Sequence, residues 1–223
     1  MKHPLIVIMF LSFPVLSNSQ SITDVDWSKG VCECIETSNK TGDVEANFRN
    51  CFQLSLDRHR PEFMQEVQIR YGDLTEENMM KLMDSLYIEV GIKLIGSCKS
   101  YFTFMDSLMH QSYKNLNKDS LKNLLHRAES VNMEKKDKKH YEYISTLYFQ
   151  LGDYDKAMEN SEKILSQDST SMAALFIKAS FMDSIKNYQE AIVLYDKVAK
   201  LSHQNSFYIY SAIAKRKKNG LNN

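Results

Sequence analysis

The apolar residues of this chain recur at helical spacing over much of its length. The clearest stripe lies between residues 79 and 87, where apolar side chains follow the i, i+3, i+4, i+7 pattern of one helix face. Its members are Met79, Met80, Leu82, Met83, Leu86 and Tyr87. Asp73 and Glu76 form a capping-box pattern before this stripe, so we predict that a helix begins there.

The helical pattern resumes from residue 88 to residue 109, where Gly91 and Gly96 interrupt it. Glycine lacks a Cβ atom, so each one either weakens the helix locally or lets another helix approach closely. The chain has only 7 Gly and 3 Pro in 223 residues, too few for the many tight turns of a β-sandwich. We therefore predict an all-α fold.

A short apolar run at the start of the chain is typical of an export signal. Lys2 and His3 give a basic start, an almost wholly apolar run follows, and Ser17 and Ser19 supply the small residues before a cleavage site. The run is about a dozen residues, shorter than the ~20 that a membrane-spanning helix needs. We expect a signal peptide over 1–19, a secreted or periplasmic location and no membrane segment after cleavage. A retained N-terminal anchor is the alternative.

Two segments in the second half of the chain repeat each other. The segments are 152–157 (Gly-Asp-Tyr-Asp-Lys-Ala) and 186–191 (Lys-Asn-Tyr-Gln-Glu-Ala). Their spacing matches the period of about 34 residues of the tetratricopeptide helix-turn-helix unit. The chain resembles this repeat at large and small core positions, among them Tyr154, Ala157 and Ala179.

The resemblance implies a short tetratricopeptide-like α-solenoid of antiparallel helix pairs. Its repeats are expected over 138–220, as units at 138–171 and 172–205 and a terminal helix at 206–219. Before them we predict a polar lead at 20–30, a Cys-containing helical module at 31–115, and a degenerate repeat or connector at 116–137. Stacked repeats generally need about three units to bury a continuous core, which the degenerate unit would help to supply.

Four positions depart from the repeat pattern. Ser145 stands at the small Gly/Ala position of the first unit, and Lys186 replaces the turn glycine of the second. Ser169 and His203 stand where a closing proline is usual. The turn chemistry therefore fits the repeat less well than the core positions do.

In this repeat family, the first helices of successive pairs line a concave groove. By the resemblance, its outward positions here are Glu142, Thr146, Phe149, Gln150, Phe176, Ser180, Asp183, Phe207, Tyr210 and Lys217. The four aromatic residues suit the apolar side chains of an extended peptide or a partner helix, unless neighbouring helices or the Cys module cover them. Glu142 and Thr146 do not match the Lys and Asn residues of a carboxylate clamp. The resemblance implies a protein or peptide partner.

All four cysteines, Cys32, Cys34, Cys51 and Cys98, lie in the first half of the chain. An even count in an exported protein indicates two disulfides, and Cys32 and Cys34 are too close in sequence to pair with each other. Two pairings remain open, Cys32–Cys51 with Cys34–Cys98 or Cys32–Cys98 with Cys34–Cys51. A four-thiolate zinc site and a redox role for the two neighbouring thiols are the alternatives.

The charge balance and the motifs exclude several classes of function. With 28 basic and 28 acidic residues, the chain gives no bulk reason to expect a nucleic-acid partner. It carries no His-Glu-x-x-His, Gly-x-Ser-x-Gly, phosphate-binding glycine loop or dinucleotide fingerprint. We expect no catalytic residues, cofactor or metal, and therefore no enzyme. An enzyme whose catalytic residues are dispersed along the chain is the alternative.

The combined interpretation is an exported repeat scaffold that binds a protein or peptide in its concave groove. The apolar start, the Lys/Asn/Ser-rich composition and the Cys-Glu-Cys-Ile segment at 32–35 also resemble small secreted proteins of Bacteroidetes-type bacteria. The alternative is a periplasmic thiol-redox or metal-binding protein that uses the four cysteines, with the repeats recruiting a client.

Overall fold

The computed structural model describes residues 25–38, 44–111, 116–131 and 137–220. The predicted export signal lies outside the described residues. All longer elements of the described ranges are α-helices: α1 (Val31–Ser38), α2 (Val44–Arg58), α3 (Arg60–Tyr71), α4 (Glu76–Ser97), α5 (Lys99–Gln111), α6 (Lys118–Glu129), α7 (Lys138–Leu151), α8 (Tyr154–Gln167), α9 (Met172–Ser184), α10 (Tyr188–Ser202) and α11 (Tyr208–Lys218). A 3-10 turn, Asn205–Phe207, precedes α11. The prediction of an all-α fold is confirmed.

None of the helices in the described ranges has both the length and the apolar character that crossing a membrane requires.

The first five helices surround one apolar core. Phe48 of α2 lies at its centre, with ring centroids 4.6 Å from Tyr87 of α4 and 4.7 Å from Tyr101 of α5. The other fully buried members include Ile35, Val67, Leu82, Leu86, Val90, Leu94 and Ile95. These helices therefore form one packed unit, which we call the Cys module.

Two disulfides join helices within the Cys module. Cys32 pairs with Cys98, and Cys34 pairs with Cys51, with Cα–Cα distances of 5.5 and 5.8 Å. This is one of the two pairings that the sequence leaves open. Because all four sulfurs are in disulfides, the cysteines do not form the four-thiolate zinc site that was the alternative.

Helix α4 begins later than the predicted capping box would place it. Its N-cap is Thr75, whose hydroxyl accepts a hydrogen bond from the backbone N–H of Asn78 at 3.3 Å. Asp73 accepts a hydrogen bond from the Asn78 side-chain amide instead. The predicted helix start at Asp73 is therefore wrong by two residues, because Thr and Asp are both good N-caps and the chain offers one of each.

The apolar pattern from residue 88 to residue 109 is divided between two helices. The chain is extended at Cys98, the residue between α4 and α5, with φ −110° and ψ 115°. Gly91 lies where Tyr101 packs, since a Cβ atom there would be 3.0 Å from the Tyr101 hydroxyl oxygen. Close approach, one of the two roles considered for the glycines, is thus the role of Gly91. A Cβ atom at Gly96 would meet nothing within 4 Å.

The second half of the chain consists of helix pairs whose local geometry repeats at the period seen in the sequence. Asp137 and Ser171 are the N-caps of α7 and α9, and Asp153 and Asn187 are the N-caps of α8 and α10. Asp137 lies one repeat period before Ser171, and Asp153 lies one repeat period before Asn187. The same types of residue thus start equivalent helices, since short polar side chains satisfy the free N–H groups of a first helical turn.

The turns inside the two pairs also have the same hydrogen bonds. In the first, the N–H of Gly152 donates to the carbonyl of Phe149, and the N–H of Asp153 donates to Tyr148. In the second, Lys186 and Asn187 donate to the equivalent carbonyls, one repeat period further along. The turn geometry is therefore preserved although lysine replaces glycine.

Helix α11 joins the repeats to the Cys module. Ile213 is fully buried in the core of the Cys module, whereas the next residue, Ala214, packs against residues of α9 and α10. The guanidinium of Arg216 is buried and donates to the backbone carbonyls of Ile95 and Cys98, the latter at 2.9 Å. The last helix therefore fixes the position of the concave side of the repeats relative to α5.

Candidate functional site

Helix α7 packs against α9, and side chains of α9 and α11 that lie one repeat period apart come together. Phe176 of α9 and Tyr210 of α11 are such a pair, with ring centroids 5.1 Å apart in an edge-to-face arrangement. Asp183 and Lys217 are another, with the ammonium nitrogen 2.8 Å from a carboxylate oxygen. The repeat period therefore determines which side chains meet on the concave side.

A cavity of about 490 Å³ lies between this concave side and α5. We call it the aromatic cavity. It is lined by Met105, Leu108, Met109, Phe149, Tyr154, Phe176, Ser180, Asp183, Ser184, Tyr195, Ser206, Phe207, Ile209 and Tyr210. Its volume is within the range of about 300–1,000 Å³ that is usual for ligand sites.

Aromatic rings form most of one wall. Phe176 is at the centre of this wall, with ring centroids 5.7 Å from Tyr195, 5.9 Å from Phe207 and 5.1 Å from Tyr210. Phe176, Phe207 and Tyr210 are each half-buried, while Tyr195 is buried. The rings thus cover one another only in part, and the remaining ring surface faces the cavity. Burial raises the pKa of the Tyr210 hydroxyl above its ordinary value.

The opposite wall belongs to the Cys module. Met105, Leu108 and Met109 of α5 face the repeats across the cavity. Their spacing of three and four residues places them on one face of α5. Leu108 is the most open of the three, with 41% of its surface exposed. The Cys module therefore borders the concave groove of the repeats but does not fill it. The aromatic cavity is the part of the groove that stays open.

Asp183 brings a charge into this otherwise apolar and hydroxyl-lined site. Its carboxylate binds the ammonium of Lys217, which also binds Asp106 at 2.7 Å. Burial alone would lower the pKa of Lys217, but the hydrogen bonds and charges of the two carboxylates together raise it above its ordinary value. Lys217 therefore stays protonated at neutral pH and is shared between the two carboxylates.

The structure brings six of the ten predicted groove residues together around the cavity: Phe149, Phe176, Ser180, Asp183, Phe207 and Tyr210. The remaining four, Glu142, Thr146, Gln150 and Lys217, are not among the lining residues. Glu142 accepts a hydrogen bond from the Ser171 hydroxyl at 2.8 Å, and Thr146 donates to the carbonyl of Glu142 at 2.8 Å. The binding role of all ten residues stays a prediction.

Several lining residues were not among the predicted groove positions, notably the three from α5, together with Tyr154, Ser184, Tyr195, Ser206 and Ile209. Tyr154 and Tyr195 belong to the second helices of their pairs, but they reach the concave side next to Phe149 and Phe176. The apolar stripe of α5 was visible in the sequence. What it packs against was not, because that depends on how the two halves of the chain dock.

Residues 117–198, from the start of α6 into α10, match the family described as anaphase-promoting complex, cyclosome, subunit 3. This is a family of tetratricopeptide-type repeats, so the prediction of such repeats is confirmed for this segment. Such repeats typically form non-enzymatic scaffolds for interactions between proteins. No curated protein and no solved structure matches the chain.

Proposed function

We propose that this protein, whose residues 117–198 form tetratricopeptide-type repeats, is an exported interaction scaffold that binds an extended protein or peptide segment in the aromatic cavity. The observation that carries the proposal is the aromatic cavity itself. Concave residues of α7, α9 and α11 meet α5 there and leave apolar ring surface uncovered.

The size of the cavity favours an extended segment over a folded partner. About 490 Å³ has room for a few side chains, but not for the full diameter of a helix of about 10–12 Å. A segment that covers the half-buried rings removes apolar surface from water, at roughly 25 cal/mol per Å² before the costs of association.

The two disulfides support the exported location. Disulfides persist in oxidising compartments such as the periplasm or the extracellular space, and they are rare in the cytosol. They also favour the scaffold over the thiol-based alternative, because Cys32 and Cys34, the pair considered for a redox role, are each bonded to a distant partner.

Panning a random peptide display library on the oxidised protein tests the proposal. Leu108 is exposed at the cavity, and Leu54 of α2 is exposed elsewhere, with 59% of its surface accessible. We expect enriched peptides that bind the native chain and Leu54→Arg, but not Leu108→Arg, because an arginine at position 108 occupies the cavity mouth. The absence of enriched peptides, or equal binding to all three proteins, would contradict the proposal.

A further inference from the structure

Three polar side chains that line the aromatic cavity are bound within the protein. The Ser180 hydroxyl accepts a hydrogen bond from the Tyr195 hydroxyl at 3.2 Å, and the Ser184 hydroxyl donates to a backbone carbonyl of its own helix at 2.7 Å. The Asp183 side chain is only 4% exposed, and its carboxylate accepts a hydrogen bond from Lys217. None of the lining residues in the described ranges is basic. The cavity therefore suits an uncharged, apolar group, since a charge buried there would lack a partner.

The aromatic wall presents its rings in different orientations. The plane of Phe176 is at 88° to that of Tyr210, whereas the planes of Phe207 and Tyr210 differ by 31°. All three rings are half-buried. Ring faces carry partial negative charge and ring edges partial positive charge, so two rings attract each other best edge to face or offset. Rings in several orientations therefore offer such a contact to a further ring that enters the cavity.

Methionine side chains form part of the opposite wall. Met105 and Met109 both line the cavity and are half-buried, and their spacing places them on the same face of α5. Met109 packs against the core of the Cys module and also against the cluster formed by α9, α10 and α11. A thioether is flexible and makes favourable contacts with aromatic rings. Both walls of the cavity thus favour an aromatic ring over other apolar groups.

We propose, resting on the function proposed above, that the aromatic cavity binds one aromatic side chain of the extended partner segment, from phenylalanine, tyrosine or tryptophan. The ring lies between Met105 and Met109 on one side and Phe176, Phe207 and Tyr210 on the other. A saturated side chain of the same size fills the same space, but it makes neither edge-to-face nor sulfur–aromatic contacts. A buried aromatic anchor of this kind typically dominates the binding energy of an interface.

A pair of small probes tests the requirement for an aromatic ring on the unmodified protein. N-acetyl-phenylalanine amide and N-acetyl-cyclohexylalanine amide share a backbone and differ only in whether the six-membered ring is aromatic. In titrations followed by NMR, the phenylalanine probe should shift the resonances of Met105, Phe176 and Ser180. The cyclohexylalanine probe should bind about fivefold more weakly. Burial of apolar area alone predicts the opposite order, because the saturated ring is the more apolar.

Equal binding of the two probes, or tighter binding of the cyclohexylalanine probe, would overturn the proposal. The second result would indicate an aliphatic ligand, such as an acyl chain, in place of an aromatic one. Absence of binding by both probes would also overturn it.

Substitution of the two methionines tests their part in the site. The double substitution Met105→Leu with Met109→Leu nearly preserves volume but removes both sulfur atoms. It should weaken binding of the phenylalanine probe by about threefold and change binding of the cyclohexylalanine probe by less than about twofold. Met80→Leu is the matched control, because Met80 of α4 is 51% exposed and does not line the cavity. An unchanged ratio of the two affinities in the double variant would contradict a role for the methionines in ring selectivity.

Peptides separate this inference from the proposed function. Replacement of the aromatic residue by cyclohexylalanine in peptides enriched on the native protein should weaken their binding by about fivefold. If the cyclohexylalanine peptides bind the cavity equally well, the aromatic inference is wrong and the proposed function stands. If no peptide is enriched but the phenylalanine probe binds as expected, the peptide function is wrong and the aromatic site stands.

Discussion

Lys186 adopts a backbone conformation that lysine disfavours. Its φ of 63° lies in the left-handed region, where Gly152 has a φ of 83° in the equivalent turn of the first helix pair. A side chain in this region brings its Cβ atom close to the following carbonyl, at about 1 kcal/mol or more. The hydrogen bonds of the turn and the packing of α9 against α10 hold Lys186 there.

Exchange of the two turn residues should change stability in opposite directions. Lys186→Gly is expected to raise the free energy of unfolding by about 1 kcal/mol, and Gly152→Lys to lower it by a similar amount. Urea unfolding of the oxidised proteins measures both changes. A loss of stability in Lys186→Gly would show that the lysine side chain contributes more than its backbone conformation costs.

Tyr148 makes the stability of the protein depend on pH in alkaline solution. Burial, together with a hydrogen bond from its hydroxyl to Glu129 of α6, raises its pKa from 10.0 to about 12. The unfolded chain therefore loses the tyrosine proton at lower pH than the folded chain does. The stability from this group is complete below pH 10 and is lost as the pH rises towards 12.

Tyr148→Phe should remove this part of the alkaline destabilisation. The variant is also expected to be less stable at neutral pH by about 1 kcal/mol, because the hydrogen bond between α6 and α7 is lost. Unfolding measured from neutral pH to pH 12 compares the two proteins. Parallel stability curves for the variant and the native chain would show that Tyr148 does not titrate in this way.

Among the helices, α11 has the most connections between the two halves of the chain. Arg216 is central to them, because its guanidinium carbon lies 4.3 Å from the ring centroid of Phe102 while its N–H groups bind the carbonyls at the end of α4. The negative end of the α4 dipole favours a cation at this place. Since α5 follows α4 directly, the same contacts keep α5 opposite Phe207 and Tyr210 across the aromatic cavity.

Removal of this connection should loosen the cavity as well as the fold. Arg216→Met is expected to lower stability by about 2–4 kcal/mol, because buried carbonyls lose their charged donor. Hydrogen exchange should then become faster in α5 and α11. Lys215→Met is the control, since Lys215 is exposed and pairs with Asp196 at 3.5 Å, so its loss should change stability by less than about 1 kcal/mol. Similar losses in both variants would contradict this account.

At the scale of the whole molecule, the repeat half was predictable and the docking of the two halves was not. The positions of Tyr154, Ala157 and Ala191 are set by contacts within one helix pair, and such local contacts leave a period in the sequence. Arg216 binds the carbonyl of Cys98, 118 residues away. Contacts of this kind have no period, so the α5 wall of the cavity could not be predicted from spacing.

The same reasoning applies to the disulfides. Cysteine count and compartment predict two bonds, but the choice between two pairings depends on how α1, α2 and α4 pack. The structure joins Cys32 to Cys98 over a sequence separation of 66 residues, and Cys34 to Cys51 over 17. Each bond restricts the unfolded chain, and the longer loop is restricted more.

Loss of the Cys32–Cys98 disulfide should therefore lower the free energy of unfolding more than loss of the Cys34–Cys51 disulfide. We expect the double substitution Cys32→Ser with Cys98→Ser to lower stability by about 4 kcal/mol, and Cys34→Ser with Cys51→Ser by about 3 kcal/mol. Peptide mapping without reductant should recover Cys32 linked to Cys98 and Cys34 linked to Cys51. Recovery of Cys32 linked to Cys51 would contradict the structure of the Cys module.

The central claim is that the aromatic cavity is the site of partner binding. Calorimetric titration of one enriched peptide into the native protein, Leu108→Arg and Leu54→Arg tests it most directly. The account predicts that affinity falls by at least about tenfold in Leu108→Arg and is unchanged in Leu54→Arg, with both variants as stable as the native chain. Equal affinities for all three proteins would place the binding site outside the cavity and contradict the account.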